Sequence, residues 1–178
     1  MGRVFLYLGE EEFLKKEAIE KLRNSYGGRV DYYSFSPGEE AFNMEEIMRQ
    51  ARTKNLFSPR QIIVIRDIDK ISLSDRELLI AYVRNPVEHT DLVLLTKLKM
   101  KKLNDSDFLW IKDLINEPAL KTKEFFPLVD KDLQNWIVAE AGKYGKRISP
   151  PAVSLLISKL GNNTFLISLA LEKTSLYI

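Results

Sequence analysis

The 178-residue sequence contains no cysteine and a single histidine. The first absence excludes a disulfide framework, thiolate-held zinc and a thiol nucleophile. The second leaves His89 unable to build a multi-histidine metal site, and its turn-like surroundings (Pro86 to Asp91) mark it as a solvated loop residue. No metal and no cofactor are expected. Equally missing is any run near the ~20 apolar residues of a membrane span. Val4 to Leu8 is too short for a signal-peptide core, and three glutamates follow it at once. A cytoplasmic protein without a membrane partner is the expectation. Neither sign of charge dominates: 27 Lys and Arg against 25 Asp and Glu leave a net charge of +2, which is no footprint for nucleic acid. What is present, 45% hydrophobic and 29% charged residues, suits a globular chain with one full core and a smaller second one.

Strands and helices are predicted to alternate. Val4 to Leu8 reads as a buried strand broken by Gly9. Glu10, Glu11 and Glu12 open a helix with Leu14, Ala18, Ile19, Leu22 and Tyr26 on its apolar side, closed by Gly27 and Gly28. Val30 to Phe35 is a second strand. Asn43 and Glu46 form a capping-box-like start for a helix facing inward through Met44, Ile47, Met48 and Ala51. Ile62 to Ile65 is a strand apolar on both faces, as in a buried parallel sheet. Ser74 and Glu77 begin a helix that ends at Asn85-Pro86, and Leu92 to Leu95 is another buried strand. Phe108 to Ile115, carrying Trp110, is a helix, and Leu120 to Phe126 a last strand. This order predicts an α/β domain with a mainly parallel sheet. Beyond Pro127 three helices are predicted: one after Asp130 carrying Trp136, one from Ser149-Pro150-Pro151 to Gly161, and Phe165 to Leu176. The expected division is 1–127, α/β, and 128–178, all helical. The abrupt end at Ile178 suggests a fragment.

The opening strand-Gly-helix invites comparison with a nucleotide-binding P-loop, G-x-x-x-x-G-K-[ST]. Laid from Gly9, the pattern puts Leu14 at the second glycine, Lys15 at the lysine and Lys16 at the hydroxyl residue. Without that glycine the backbone anion nest is hard to form. Without Ser or Thr a Mg²⁺ ligand is missing, and Glu10 to Glu12 would face the phosphates. At the Walker B position, Ile62 to Ile65 is followed by Arg66 where a metal-holding carboxylate belongs. Both halves of the site fail, so ATP hydrolysis is not expected. Lys97, Lys99, Lys101 and Lys102 could contact a DNA backbone, but no aromatic residues interleave with them, and they read as a solvated loop.

Between the helix ending near Ala51 and the strand at Ile62 lies Leu56-Phe57. Two large apolar residues in a loop either tuck into the core or form a small exposed anchor for a partner. Residue types alone favour the first reading.

Tyr7 to Leu14 and Leu56 to Arg66 resemble the opening and central blocks of the DNA polymerase III delta subunit family, part of the bacterial clamp loader. Trp136, Gly145, Ile148-Ser149, Leu156, Gly161-Asn162 and Leu171 to Lys173 are similar to its second domain. The resemblance implies an AAA+ fold, a five-stranded parallel sheet with flanking helices followed by a helical lid, with a degenerate nucleotide site at Gly9, Leu14, Lys15, Lys16 and Arg66. It also implies a non-catalytic subunit that opens the sliding clamp through a hydrophobic plug, laid here on Leu56 and Phe57 but not on Lys54. Partners would be the clamp (the polymerase III beta subunit), other loader subunits and, through the lysines from Lys97 to Lys102, DNA. The family's third, collar domain has no counterpart here. A working AAA+ ATPase and a DNA-binding module are the alternatives.

Overall fold

The computed structural model describes residues 2–27, 30–55 and 58–177. The chain divides into two compact units, Met1–Phe125 and Phe126–Ile178. In the first, strands β1 (Arg3–Leu8), β2 (Asp31–Phe35), β3 (Gln61–Ile65), β4 (Thr90–Leu95) and β5 (Leu120–Glu124) alternate with helices α1 (Glu12–Asn24), α2 (Met44–Arg52), α3 (Leu73–Arg84) and α4 (Leu109–Ile115). The strands form one sheet in the order β2-β3-β4-β1-β5. All four pairings are parallel, with Tyr7 opposite Leu95 and Ile65 opposite Leu94.

The sheet is central because its middle strands are apolar on both faces. Every residue of β3 and β4 is buried, and a fully buried Leu or Ile contributes about 1.5–3 kcal/mol. Alternate side chains serve opposite layers. Leu6, Ile63, Ile65, Leu92 and Leu94 meet Met44, Ile47, Leu79, Tyr82 and Ile111 of α2, α3 and α4. Tyr7, Ile62, Val64, Val93 and Leu95 meet Ile19 and partly buried Leu14 and Leu22 of α1. Since every strand runs the same way, the loops after β1, β3 and β4 gather at the carboxyl edge, where α/β sheets commonly place ligands. The α2–β3 connection arrives at the opposite edge.

The second unit holds α5 (Asp130–Lys143), α6 (Pro150–Leu160) and α7 (Thr164–Ser175) around Leu133, Ile137, Val153, Ile167 and Leu171. Proline stands in the first turn of α6, and Gly161, at φ 63°, follows its end, a conformation costly for residues with a Cβ. No helix among the described residues is long and apolar enough to cross a membrane.

Several sequence expectations need correction. The cap of α3 is Ser72, whose hydroxyl accepts from Asp75 N at 3.2 Å, so Ser74 lies within the first turn. Phe108 belongs to a short 3₁₀ turn before α4, and β5 stops at Glu124. His89 is half-buried rather than solvated, with Nε2 enclosed and no hydrogen-bond partner among the described residues.

Candidate functional site

At the carboxyl edge, Gly9 leaves β1 with φ +97°, and a Cβ there would stand 2.1 Å from the Phe125 carbonyl oxygen. The residue is therefore glycine because the loop passes against the backbone following β5. Three amides of the loop have protein acceptors: Gly9 N–H donates to Leu98 O (2.8 Å), Glu11 N–H to Phe125 O (3.4 Å) and Glu12 N–H to Glu10 O (3.0 Å). Such amides are the ones that would cradle phosphates in a P-loop.

Lys15 is only 1% exposed. Its Nζ donates to the Thr96 carbonyl at 2.9 Å and to Glu12 Oε1 at 3.1 Å. Burial pulls its pKa below the usual lysine range, while the Glu12 carboxylate resists that shift. Thr96 in turn donates its hydroxyl to Asp69 Oδ1 (2.5 Å) and accepts from Leu98 N–H (3.1 Å). A chain Glu12–Lys15–Thr96–Asp69 thus stitches α1 to the end of β4 and the turn after β3. Beside it, Glu12, Arg66, Asp67, Leu95, Thr96 and Lys97 line a cleft of about 190 Å³, below the 300–1,000 Å³ common for ligand pockets. Arg66 is exposed and donates from Nε to Ser34 Oγ at 3.0 Å. Leu14 packs into the α1 layer, and Lys16 faces solvent. Of the five positions inferred from the P-loop comparison, only Arg66 lines this cleft; Lys15 is buried behind it on Glu12 and Thr96, Gly9 shapes the loop, and Leu14 and Lys16 point elsewhere.

The four lysines after β4 are exposed. Lys99 pairs with Glu10 at 3.3 Å and Lys102 with Asp105 at 3.4 Å, so half of the cluster is already neutralised. Pairs this exposed contribute little stability.

At the amino edge, Leu56 and Phe57 lie outside the described residues. Their neighbours are anchored. Asn55 Nδ2 donates to Asp31 Oδ2 (2.6 Å), and Ser58 Oγ donates to Asp31 Oδ1 (2.8 Å). Upstream, the end of α2 is bolted to the sheet: buried Gln61 brings Nε2 to the carbonyls of Gln50 (2.9 Å) and Thr53 (3.2 Å), while Thr90 Oγ1 donates to Ala51 O (2.7 Å). These contacts add side-chain donors at the helix end, where carbonyls run out of intrahelical partners; Gln50 O also accepts from Thr53 N–H at 3.0 Å. Downstream, Arg60 Nη1 donates to Glu88 O at 2.9 Å, and its guanidinium lies 5.3 Å from the Tyr26 ring centroid. Sequence reading missed Asp31, Asn55, Ser58, Gln61 and Thr90. The sequence does place a polar residue at the head of three neighbouring strands, Asp31 on β2, Gln61 on β3 and Thr90 on β4, but nothing in it names their partners.

This architecture is shared with solved structures of known proteins. The Bacillus subtilis DNA clamp loader delta protein superposes with a TM-score of 0.67 at 15% identity, covering 98% of this chain and 53% of that one. A DNA polymerase III gamma-subunit-related protein from Thermotoga maritima gives 0.61 at 14% identity (97% and 53%). A RuvB variant from the same organism gives 0.60 at 18% identity (96% and 53%). The chain therefore spans about half the length of these structures, 53% in each. The fold they define is of the AAA+ class, a parallel five-stranded sheet with flanking helices and a small helical unit after it. No curated protein matches the sequence significantly. The model of the family "DNA polymerase III, delta subunit" matches residues 5–124, and the chain belongs to that family.

Proposed function

We propose that this chain is the clamp-binding portion of a clamp-loader subunit acting in DNA replication. Leu56 and Phe57 enter a pocket on the ring-shaped sliding clamp, and binding opens the ring or holds it open. Residues 1–127 form an AAA+ unit with a degenerate nucleotide site, and 128–178 its lid. The chain hydrolyses no ATP. Other loader subunits are its partners, and their ATP controls when the plug reaches the clamp.

The observation that carries the non-catalytic reading is Lys15. Its ammonium is turned inward onto Thr96 O and Glu12, where a P-loop lysine would reach phosphates, and the amides of Gly9, Glu11 and Glu12 already have carbonyl acceptors. Family membership and the anchored flanks of Leu56-Phe57 support the clamp reading.

The test is a titration of the same organism's sliding clamp with Leu56→Ala/Phe57→Ala. Each side chain contributes roughly 1.5–3 kcal/mol when buried, so affinity falls by about two to four powers of ten, with an unchanged circular dichroism spectrum. Unfolding of the double variant would point to a core role instead. In calorimetry, Mg-ATP at millimolar concentration gives no saturable heat. Mg²⁺-dependent binding abolished by Lys15→Ala would establish the ATPase reading in its place.

A further inference from the structure

We propose that Asp31 is the positioning residue for clamp binding. The inference rests on the clamp reading above and adds to it a residue distant in sequence from the plug.

Asp31 is fixed by the sheet. It opens β2 opposite Gln61, and its N–H donates to Arg60 O at 3.3 Å. Among the described residues, each oxygen of its carboxylate accepts a side-chain hydrogen bond, from residues 24 and 27 positions away. Those two donors, Asn55 and Ser58, are the immediate sequence neighbours of Leu56-Phe57. The two residues that flank Leu56-Phe57 are therefore held on a single carboxylate. Hydrogen bonds to an ionised acceptor are about twice as strong as neutral ones, so one side chain restrains both ends. Thr53 O, held by Gln61, and Arg60, held on Glu88 O, set the next pair of anchors outward.

This arrangement acts on binding through entropy. An anchor of two apolar residues loses affinity when its backbone must be ordered at the moment of binding. Holding the ends in advance removes part of that cost. A carboxylate on β2 does so without occupying the contact surface. Asp31 need not touch the clamp to control its affinity.

The experiment measures the affinity of the full 178-residue chain for the same organism's sliding clamp, by fluorescence polarisation, in four forms: wild type, Asp31→Ala, Phe57→Ala and their combination. Asp31→Ala weakens binding about tenfold, as expected from releasing one or two ordered side chains, and Asp31→Asn, which keeps a single carbonyl acceptor, weakens it less. In the Phe57→Ala background the same Asp31→Ala change costs at most about twofold, because there is less anchor left to position. A purely structural role predicts equal losses in both backgrounds and would overturn the proposal. Unchanged affinity in Asp31→Ala, with Phe57→Ala weakened, removes Asp31 and leaves the clamp reading standing. Full affinity in both Phe57→Ala and Leu56→Ala/Phe57→Ala removes the clamp reading and this proposal with it. Should Asp31→Ala fail to fold by circular dichroism, Asn55→Ala/Ser58→Ala deletes the same two bonds from the loop side, and the same outcomes decide.

Discussion

Two buried charges show how single residues carry this fold. Lys15 sits inside the first unit with its ammonium on Thr96 O and Glu12, and burial is the main cause of its lowered pKa. In the folded chain it releases its proton at lower pH than in the unfolded chain, whose lysine keeps its proton up to about 10.5. Between those two values the unfolded state binds more protons, so Lys15's contribution to stability rises with pH. Chemical denaturation of wild type and Lys15→Met at stepped pH should show the wild type gaining on the variant as pH rises towards 10.5; a constant difference would contradict the assignment. Asp91 is the second case, 1% exposed and held by Arg3 through Nε (3.0 Å) and Nη2 (2.7 Å). Tyr26 also donates its hydroxyl to this carboxylate. Desolvation raises the Asp91 pKa and Arg3 opposes the rise. Arg3→Ala strands a buried carboxylate. Because Arg3 is itself 39% exposed, the expected loss is roughly 2–3 kcal/mol in urea unfolding, below the 3–5 of a fully buried pair.

Among the elements, α2 depends most on residues outside itself. Its start is local: Asn43 Oδ1 accepts from Glu46 N at 3.1 Å. Its end is satisfied from the sheet by Gln61 and Thr90. Gln61→Leu keeps the bulk and removes the side-chain donor to Gln50 O, Thr53 O and Thr90 Oγ1. Gln50 O keeps the Thr53 amide and Ala51 O keeps Thr90, so the cost is about 0.5–1.5 kcal/mol in urea unfolding. An unchanged midpoint would mean that water takes over those carbonyls. The same contrast explains what the sequence could reveal. β3 and β4 were legible because four consecutive apolar residues at each place fit only a strand buried on both faces. The first cap of α3 was not, since Ser72 with Asp75 and Ser74 with Glu77 offer the same residue types at the same spacing. The structure uses Ser72, whose hydroxyl also donates to Asp75 Oδ2 at 2.7 Å. At the carboxyl edge, the departures at Leu14, Lys16 and Arg66 could be read by position. The inward course of Lys15 could not, because spacing carries no information about a side chain's direction. Asp31, Asn55 and Ser58 are joined across 24 and 27 positions, and nothing local in the sequence announces such a contact.

At the level of the whole molecule, the two candidate sites occupy opposite edges of one sheet in one unit. Lys15, Arg66 and the small cleft lie beyond the carboxyl ends of the strands. Asp31, Gln61 and Thr90 head them. The helical unit carries its own core, built from Leu133 to Leu171 and sharing none of its residues with the sheet layers. A chain of residues 1–125 therefore keeps both layers around the sheet together with the proposed plug, Leu56 and Phe57, and the residues proposed to position it, Asp31, Asn55 and Ser58. If the clamp is gripped by that contact alone, this shortened chain should retain a cooperative thermal transition and bind the clamp within about threefold of the 178-residue chain, a change under 1 kcal/mol. A folded 1–125 chain that loses clamp binding would locate part of the contact in the helical unit. Retained affinity that still falls on Phe57→Ala would confine it to the first unit.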